Sequence, residues 1–379
     1  MVLAPTSPIA EIPFHIGEDA IIVAATVNGK SLKFMYDTGF GGAFVLGPHV
    51  NVGKPTGKIM IRDFVGQFEA ETIDVSSLKL GSFEIEVGEM ELVQLPTGNY
   101  TEAYGTHVDG IMGLEVLKNY VTEINFENEK FVIHPDSMDI NTRKPDGEKT
   151  FLLKMLPKGM NSIELFAKVS NGKRMILALD TGNAFYAVTH REVLVRVGLW
   201  PEKKKPKFMS TAYVASGPVD TWSLMISDLE VYGVPVPRSV WSIIDLPSSS
   251  ASHDGTIGFG FLKHFNIVID MGRRRVWLEN FTGKVTDDFP AHIGLVSIYS
   301  RNYKRMVIVN VTPDGPAFKA GIKRGDHLLA IDDENLVKSS YRHVNSVLTG
   351  TEGTEVRLAV SRKGQLKRYT LKRALLVNE

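Results

Sequence analysis

Cysteine is missing from all 379 residues, so neither a disulfide framework nor a thiolate metal site can contribute to this fold. Charge of one sign is not in excess either. Lys plus Arg number 43 and Asp plus Glu 43, a balance that argues against a nucleic-acid-binding surface. No apolar run approaches the roughly 18 residues needed to span a membrane. The first residues, Met1 to Pro13, lack the basic start and long apolar core of a secretory leader. A periplasmic or secreted protein is expected if a leader has been removed, and a cytoplasmic one otherwise. Walker and dinucleotide glycine patterns are absent, as is a Gly-x-Ser-x-Gly elbow. The ten histidines are scattered, with no His-Glu-x-x-His spacing. No cofactor and no metal are therefore expected. The run Lys203-Lys204-Lys205-Pro206-Lys207 reads as a solvated loop.

What is present is one short stretch that occurs twice. Phe34-Met35-Tyr36 runs into Asp37-Thr38-Gly39, and Ile176-Leu177-Ala178-Leu179 runs into Asp180-Thr181-Gly182, 143 residues later. The surroundings repeat too. Asn28-Gly29-Lys30 precedes the first copy and Asn171-Gly172-Lys173 the second. Asp109-Gly110-Ile111-Met112-Gly113 follows the first, and Asp254-Gly255-Thr256-Ile257-Gly258 follows the second at an offset of 145. An apolar strand delivering Asp-Thr-Gly, twice in a duplicated frame, points to two carboxylates facing each other across a pseudo-twofold axis. Like charges held that close cannot both ionise, so the pair retains one proton over a wide pH range. The ionised member can take a proton from water while the protonated one polarises a carbonyl. Thr38 and Thr181 would lock the two loops together, and Gly39 and Gly182 would allow close approach.

Many short strands punctuated by turn residues indicate a mainly β chain. Asn28-Gly29 and Asn171-Gly172 are hairpin signals. Two further hairpins are expected, one over 58–75 with its tip at Asp63-Phe64-Val65-Gly66, the other over 207–225 with its tip at Ala215-Ser216-Gly217-Pro218. Polar, Pro- and Gly-containing stretches at 135–149 and 282–291 mark boundaries. These divide the chain into 1–145, 146–284 and 285–379. The last part has a different pattern: a strand at Met306-Val311, a short helix over Pro316-Ala320 stopped by Gly321, and an amphipathic helix over Ser339-Leu348.

On the residues just quoted, 9–284 resemble the two-lobed aspartic peptidases of the pepsin and retropepsin group. The run Asp109 to Leu117 followed by Ile124-Asn125-Phe126 is especially similar to bacterial retropepsin-like domains. The resemblance implies a pepsin-like β-barrel fold with duplicated lobes and an endopeptidase working on an extended polypeptide without metal or cofactor. It makes Asp37 and Asp180 the catalytic pair. It also makes Asp63, Phe64, Val65 and Gly66 a flap, with Ala215, Ser216 and Gly217 in its second-lobe counterpart. Both aspartates lie on one chain, so a monomer would suffice. Two positions depart from the family. Phe40 and Asn183 follow Asp-Thr-Gly where pepsin-like enzymes place Ser or Thr and retroviral ones Ala. Asn183 can donate a hydrogen bond to a carboxylate. Phe40 cannot, and apolar surface beside Asp37 would raise its pKa.

Residues 287–379 resemble a PDZ domain of the bacterial protease-associated kind, through Val309 to Ala317 and Ala320 to Ile331. That family binds a chain-terminal carboxylate on the backbone N–H groups of an apolar-Gly-apolar loop, for which Ile293-Gly294-Leu295 is the candidate. The module would then recruit substrate or partner C-termini. The rival reading is a peptidase-like fold that has lost catalysis and only presents peptides.

Overall fold

The computed structural model describes residues 7–62, 67–95, 107–157, 161–214, 217–246, 253–287, 289, 291–300, 303–336, 339 and 341–379. The fold is mainly β. Its first hairpin follows from Asn28-Gly29. Strand Ala20–Val27 pairs with Lys30–Asp37, and Val27 faces Lys30 across a two-residue turn. Asn28 and Gly29 both have positive φ, 48° and 78°, the backbone that Asn-Gly adopts at least cost. The second copy differs. Glu164–Lys168 and Arg174–Leu179 close with Lys168 opposite Arg174, and within Asn171-Gly172 only Gly172 has positive φ. The longer loop places the Asn171 amide on the Val197 carbonyl, 2.8 Å away, just as Asn28 Nδ2 reaches the carbonyls of Val52 and Asp74.

Two large sheets form matched lobes, one of ten strands and one of seven, and a third sheet of six strands joins them. In the joining sheet Val121–Asn125 of the first half pairs antiparallel with Phe265–Asp270 of the second. Thr122 faces Ile269, Glu123 faces Val268 and Ile124 faces Ile267. With the 145-residue offset this register is self-complementary, so the pseudo-twofold axis passes between Glu123 and Val268. The apolar faces of both lobes and of the joining sheet merge into one core that includes Phe34, Tyr36, Phe131, Leu177, Phe261 and Phe265.

Both expected hairpins are present. Gly57–Arg62 pairs with Gln67–Asp74, Arg62 facing Gln67; the tip residues Asp63, Phe64, Val65 and Gly66 lie outside the described residues. Ser210–Val214 pairs with Gly217–Val231, Val214 facing Gly217, so Gly217 belongs to a strand. Ala215 and Ser216 lie outside the described residues. One helix, Arg191–Val197, has no counterpart among the described residues of the first lobe and was not expected from the sequence. It ends on Gly198 in the left-handed conformation that glycine accepts.

The third part has its own core, with Ile308, Leu328, Val344, Val356 and Leu358 buried in it. Its strands run in the order Leu295–Ser300, Arg305–Val311, His327–Ile331, Glu355–Arg362 and Gln365–Lys372, leaving Leu295–Ser300 at one edge. The module meets the second lobe at several points. Asn310 hydrogen-bonds Thr211 of the lobe's outer strand. Beyond it, Asn378 inserts beside Gly217–Val231. Its N–H donates to the Ser223 carbonyl at 2.8 Å and its carbonyl accepts from Met225 N–H at 2.8 Å. Its side chain accepts from Lys207 N–H at 2.6 Å and donates to the Lys207 carbonyl at 2.9 Å. Asn378→Ala removes the two side-chain bonds to the Lys207 backbone and is expected to cost about 0.5–1.5 kcal/mol. The measurements are a lower Tm and faster amide exchange at Lys207.

Candidate functional site

The two Asp-Thr-Gly loops meet at the axis. Strand Lys30–Asp37 carries Asp37 to its end and lies in parallel register with Gly110–Gly113, Gly113 facing Asp37. In the second lobe Leu177, Ala178 and Leu179 pair in parallel with Gly255, Thr256 and Ile257. The turn after each strand folds back on its own aspartate. Asp37 Oδ1 accepts from Gly39 N–H at 2.8 Å and Phe40 N–H at 3.1 Å. Asp180 Oδ1 accepts from Gly182 N–H and Asn183 N–H, each at 3.0 Å.

Between the loops lies a reciprocal set of threonine contacts. Thr38 Oγ1 donates to the Leu179 carbonyl at 2.7 Å and accepts from Thr181 N–H at 3.0 Å. Thr181 Oγ1 donates to the Tyr36 carbonyl at 2.8 Å and accepts from Thr38 N–H at 3.1 Å. Both threonines are buried. Each hydroxyl is used once as donor and once as acceptor, so neither can be replaced by an apolar group without orphaning two backbone groups. The locked loops bring Asp37 and Asp180 together, with Gly39 against the Asp180 carboxyl and Gly182 against that of Asp37.

Both carboxyls are held above the ordinary aspartate range. Burial is the main cause for Asp37, opposed by hydrogen bonds from Asp180 and from the N–H groups of Gly39, Phe40 and Gly182. Asp180 is pushed up further, first by burial and then by the charge of Asp37 and the hydrogen bond to it. The proton belongs to the pair.

Phe40 packs its ring near Gly42 and Gly113 and reaches Asp37 only through its backbone N–H. Asn183 does not touch Asp180 with its side chain, contrary to the donor role read for it from the sequence. Its amide donates to Thr256 Oγ1 at 2.8 Å, and its Oδ1 accepts from Phe185 N–H. The Thr256 side chain in turn faces Asp180 and favours its ionised form. The position of Thr256 in the first lobe is held by Ile111, so the two carboxyls have unequal surroundings. Removing the hydroxyl in Thr256→Val is expected to raise the upper pKa of the pair further. The alkaline limb of the pH–activity profile should then move to higher pH, with Asn183→Ala moving it in the same direction by less.

The loop read as a carboxylate receptor in the third part is less open than its sequence implies. Ile293 and Leu295 are buried. Gly294, at φ 77°, donates its N–H to His292 Nδ1 at 2.9 Å. Burial lowers the pKa of His292 to about 4, so this imidazole stays neutral and can accept that bond. The ring thus takes up the Gly294 N–H that the expected carboxylate loop would offer. Leu376 packs against Gly294 and Gly315 from the other side.

Residues 284–372 match the family model described as PDZ domain. Among curated proteins, a probable CtpA-like serine protease of Staphylococcus haemolyticus (strain JCSC1435) is 30% identical over 95 residues. The match takes in 25% of this chain and only 18% of that protein's length. Among solved structures, the aspartic proteinase from Irpex lacteus aligns with 73% of this chain and 99% of its own, at 13% identity and a TM-score of 0.45. The photosystem II D1 C-terminal processing protease aligns with 24% of this chain and 25% of its own, at 26% identity and a TM-score of 0.23. The module after the second lobe is a PDZ domain. The chemistry of the two lobes has to be judged on their own residues.

Proposed function

We propose that this chain is an aspartic endopeptidase, with residues 1–145 and 146–284 as its two lobes and 285–379 as a PDZ domain that docks peptides. The observation that carries the reading is the meeting of Asp37 and Asp180 where the reciprocal threonine contacts lock the two loops, each carboxyl lying against the glycine of the opposite loop. Two carboxyls that hold one proton between them, at the meeting point of two matched lobes, can do both halves of amide hydrolysis. The ionised oxygen accepts a proton from a water lying between the two groups. The carboxylic acid donates a hydrogen bond to the scissile carbonyl and stabilises the charge that develops there. That proton ends on the departing amine. Thr38, Thr181, Gly39 and Gly182 hold this geometry and do not react. No cofactor is needed for such a cycle.

In the PDZ domain, a peptide would add to the edge strand Leu295–Ser300 beside the helix Tyr341–Leu348. Strand addition needs only backbone groups. Reading a terminal carboxylate would also require His292 to release the Gly294 N–H. Free-acid and amidated forms of one peptide are therefore expected to bind alike; a tenfold preference for the free acid would show that His292 yields.

The test of the main reading uses unfolded casein at several pH values. Cleavage should be blocked by a transition-state peptide analogue of the aspartic mechanism, should resist a serine-directed covalent inhibitor, and should vanish in Asp37→Asn. Cleavage that survives in Asp37→Asn but stops with the serine reagent would replace this reading by a serine mechanism. Absence of cleavage with retained binding of the analogue would favour the peptide-presenting rival.

A further inference from the structure

At the foot of the strand that runs beneath the first catalytic loop, three side chains from two separate segments converge. Asp109 immediately precedes Gly110–Gly113, His107 stands two residues before it, and His49 follows the strand Phe44–Leu46. Asp109 Oδ1 is 3.3 Å from His107 Nε2 and 3.8 Å from His49 Nε2. The three atoms all lie within 4.8 Å of one another, and the two rings are 5.7 Å apart between centroids. We propose that His49, His107 and Asp109 bind a zinc-class divalent cation at this point, as a structural site separate from the dyad.

Three features favour the assignment. First, the spacing suits the ion. Zinc bonds of about 2.0–2.1 Å in a tetrahedron put ligand atoms roughly 3.3 Å apart, close to the two distances above. Two imidazoles with one carboxylate select zinc, copper or nickel over magnesium or calcium. Both histidines are exposed, which leaves the fourth position to water.

Second, the carboxylate is positioned from behind. Asp109 Oδ2 accepts from Lys33 N–H at 2.8 Å, Asp109 N–H donates to the Lys33 carbonyl at 2.7 Å, and the Asp109 carbonyl accepts from Gly47 N–H at 2.9 Å. Gln94 Nε2 donates to the Gly47 carbonyl at 2.6 Å, steadying the turn that carries His49. Outer-sphere bonds of this kind fix which oxygen faces a metal.

Third, the duplication supplies an internal control. Asp254 is the matching residue of the second lobe. It makes the same backbone contacts, Oδ2 accepting from Ile176 N–H at 2.8 Å and N–H donating to the Ile176 carbonyl at 2.7 Å. Its other oxygen, however, meets the guanidinium of Arg196, from the helix Arg191–Val197. Where one lobe closes the carboxylate with a permanent cation, the other offers two imidazoles. A bound divalent ion fills the role of Arg196. It stands four residues from Asp37 along paired strands, about 13 Å at roughly 3.3 Å per residue, too far to touch the reacting water.

Titrating the chelator-treated full chain with zinc chloride by calorimetry tests this. One equivalent should bind with micromolar affinity, and excess magnesium should not compete. His49→Ala and His107→Ala should each weaken binding by at least about tenfold. The double variant should lose the site, whereas His15→Ala should keep it. Zinc should also raise the Tm of the parent protein and leave that of the double variant unmoved. Failure of the parent protein to take up an equivalent at micromolar zinc overturns the proposal. So does an isotherm that the double substitution leaves unchanged, since the ion would then sit elsewhere.

Discussion

Asparagine in place of Asp180 should end turnover and, at neutral pH, leave a more stable protein. A loss of about 10⁴-fold or more in kcat/KM is expected, the scale seen when one member of a tightly coupled catalytic set is removed, and Asp37→Asn should do the same. The stability effect has a definite sign. Both carboxyls have folded-state pKa values above the ordinary aspartate value. The folded protein therefore holds the dyad's protons more tightly than the unfolded chain does. Stability from these groups is fully present below the unfolded aspartate value and declines as pH climbs through the raised values. An asparagine has no charge to bury and escapes that decline. Calorimetry at pH 7 should show Asp180→Asn melting a few degrees higher, about 2–4 °C, and the gap should close towards pH 4. Substantial activity in either variant would refute the shared-dyad mechanism. A variant that melts lower at pH 7 would refute the electrostatic account.

The second large effect should come from a single methyl group. A Cβ on Gly182 would lie 2.3 Å from Asp37 Cγ and 2.5–2.6 Å from both of its oxygens. On Gly39 it would lie 2.6 Å from Asp180 Cγ. Neither aspartate can swing away, because backbone N–H groups hold Oδ1 in each loop. Gly182→Ala must therefore push the carboxyls apart. Misplacement by about 1 Å costs on the order of 10²-fold in rate, and loss of the shared proton should cost more. As a control, Gly172→Ala meets no atom within 4 Å and faces only the strain of its positive φ. It should lower Tm modestly and leave kcat/KM alone. If Gly182→Ala retained full activity, the close packing of the two loops would not be a condition of catalysis.

The meeting of the two Asp-Thr-Gly loops was legible in the sequence because it is encoded locally. Asp-Thr-Gly at the end of an apolar strand fixes the loop, and its recurrence fixes the axis. Even the threonine contacts could be anticipated, since they join like to like. What escaped depends on side chains meeting across long stretches. Thr256 sits in the second Asp-Gly-x-x-Gly run, but only the paired strands show that its side chain faces Asp180. Attention to the residue after each motif gave Asn183 a direct role that it plays through Thr256. His49 and His107 are 58 residues apart and carry no spacing signal at all. The helix Arg191–Val197 had one, a valine-rich segment stopped by Gly198, but its β-branched residues read equally well as strand. The runs Val309 to Ala317 and Ala320 to Ile331 correctly suggested a PDZ domain, whose carboxylate loop was expected at Ile293-Gly294-Leu295. Its occupancy by His292 depends on how the ring turns back, which no pattern encodes.

The joining sheet bears on how the chain is made. Strand Val121–Asn125 acquires its second neighbour only when Phe265–Asp270 is available, about 140 residues later in synthesis. At about 5–20 residues per second that interval is roughly 7–28 s. Throughout it, a nascent first half carries an unpaired edge whose register is complementary to itself. Two such halves on neighbouring ribosomes present each other with the same hydrogen-bonding face that the second half is destined to cover. Premature pairing between chains is thus a built-in competitor of maturation. It should grow with expression rate, and a chain cut after the first half should be recovered as a dimer or an aggregate.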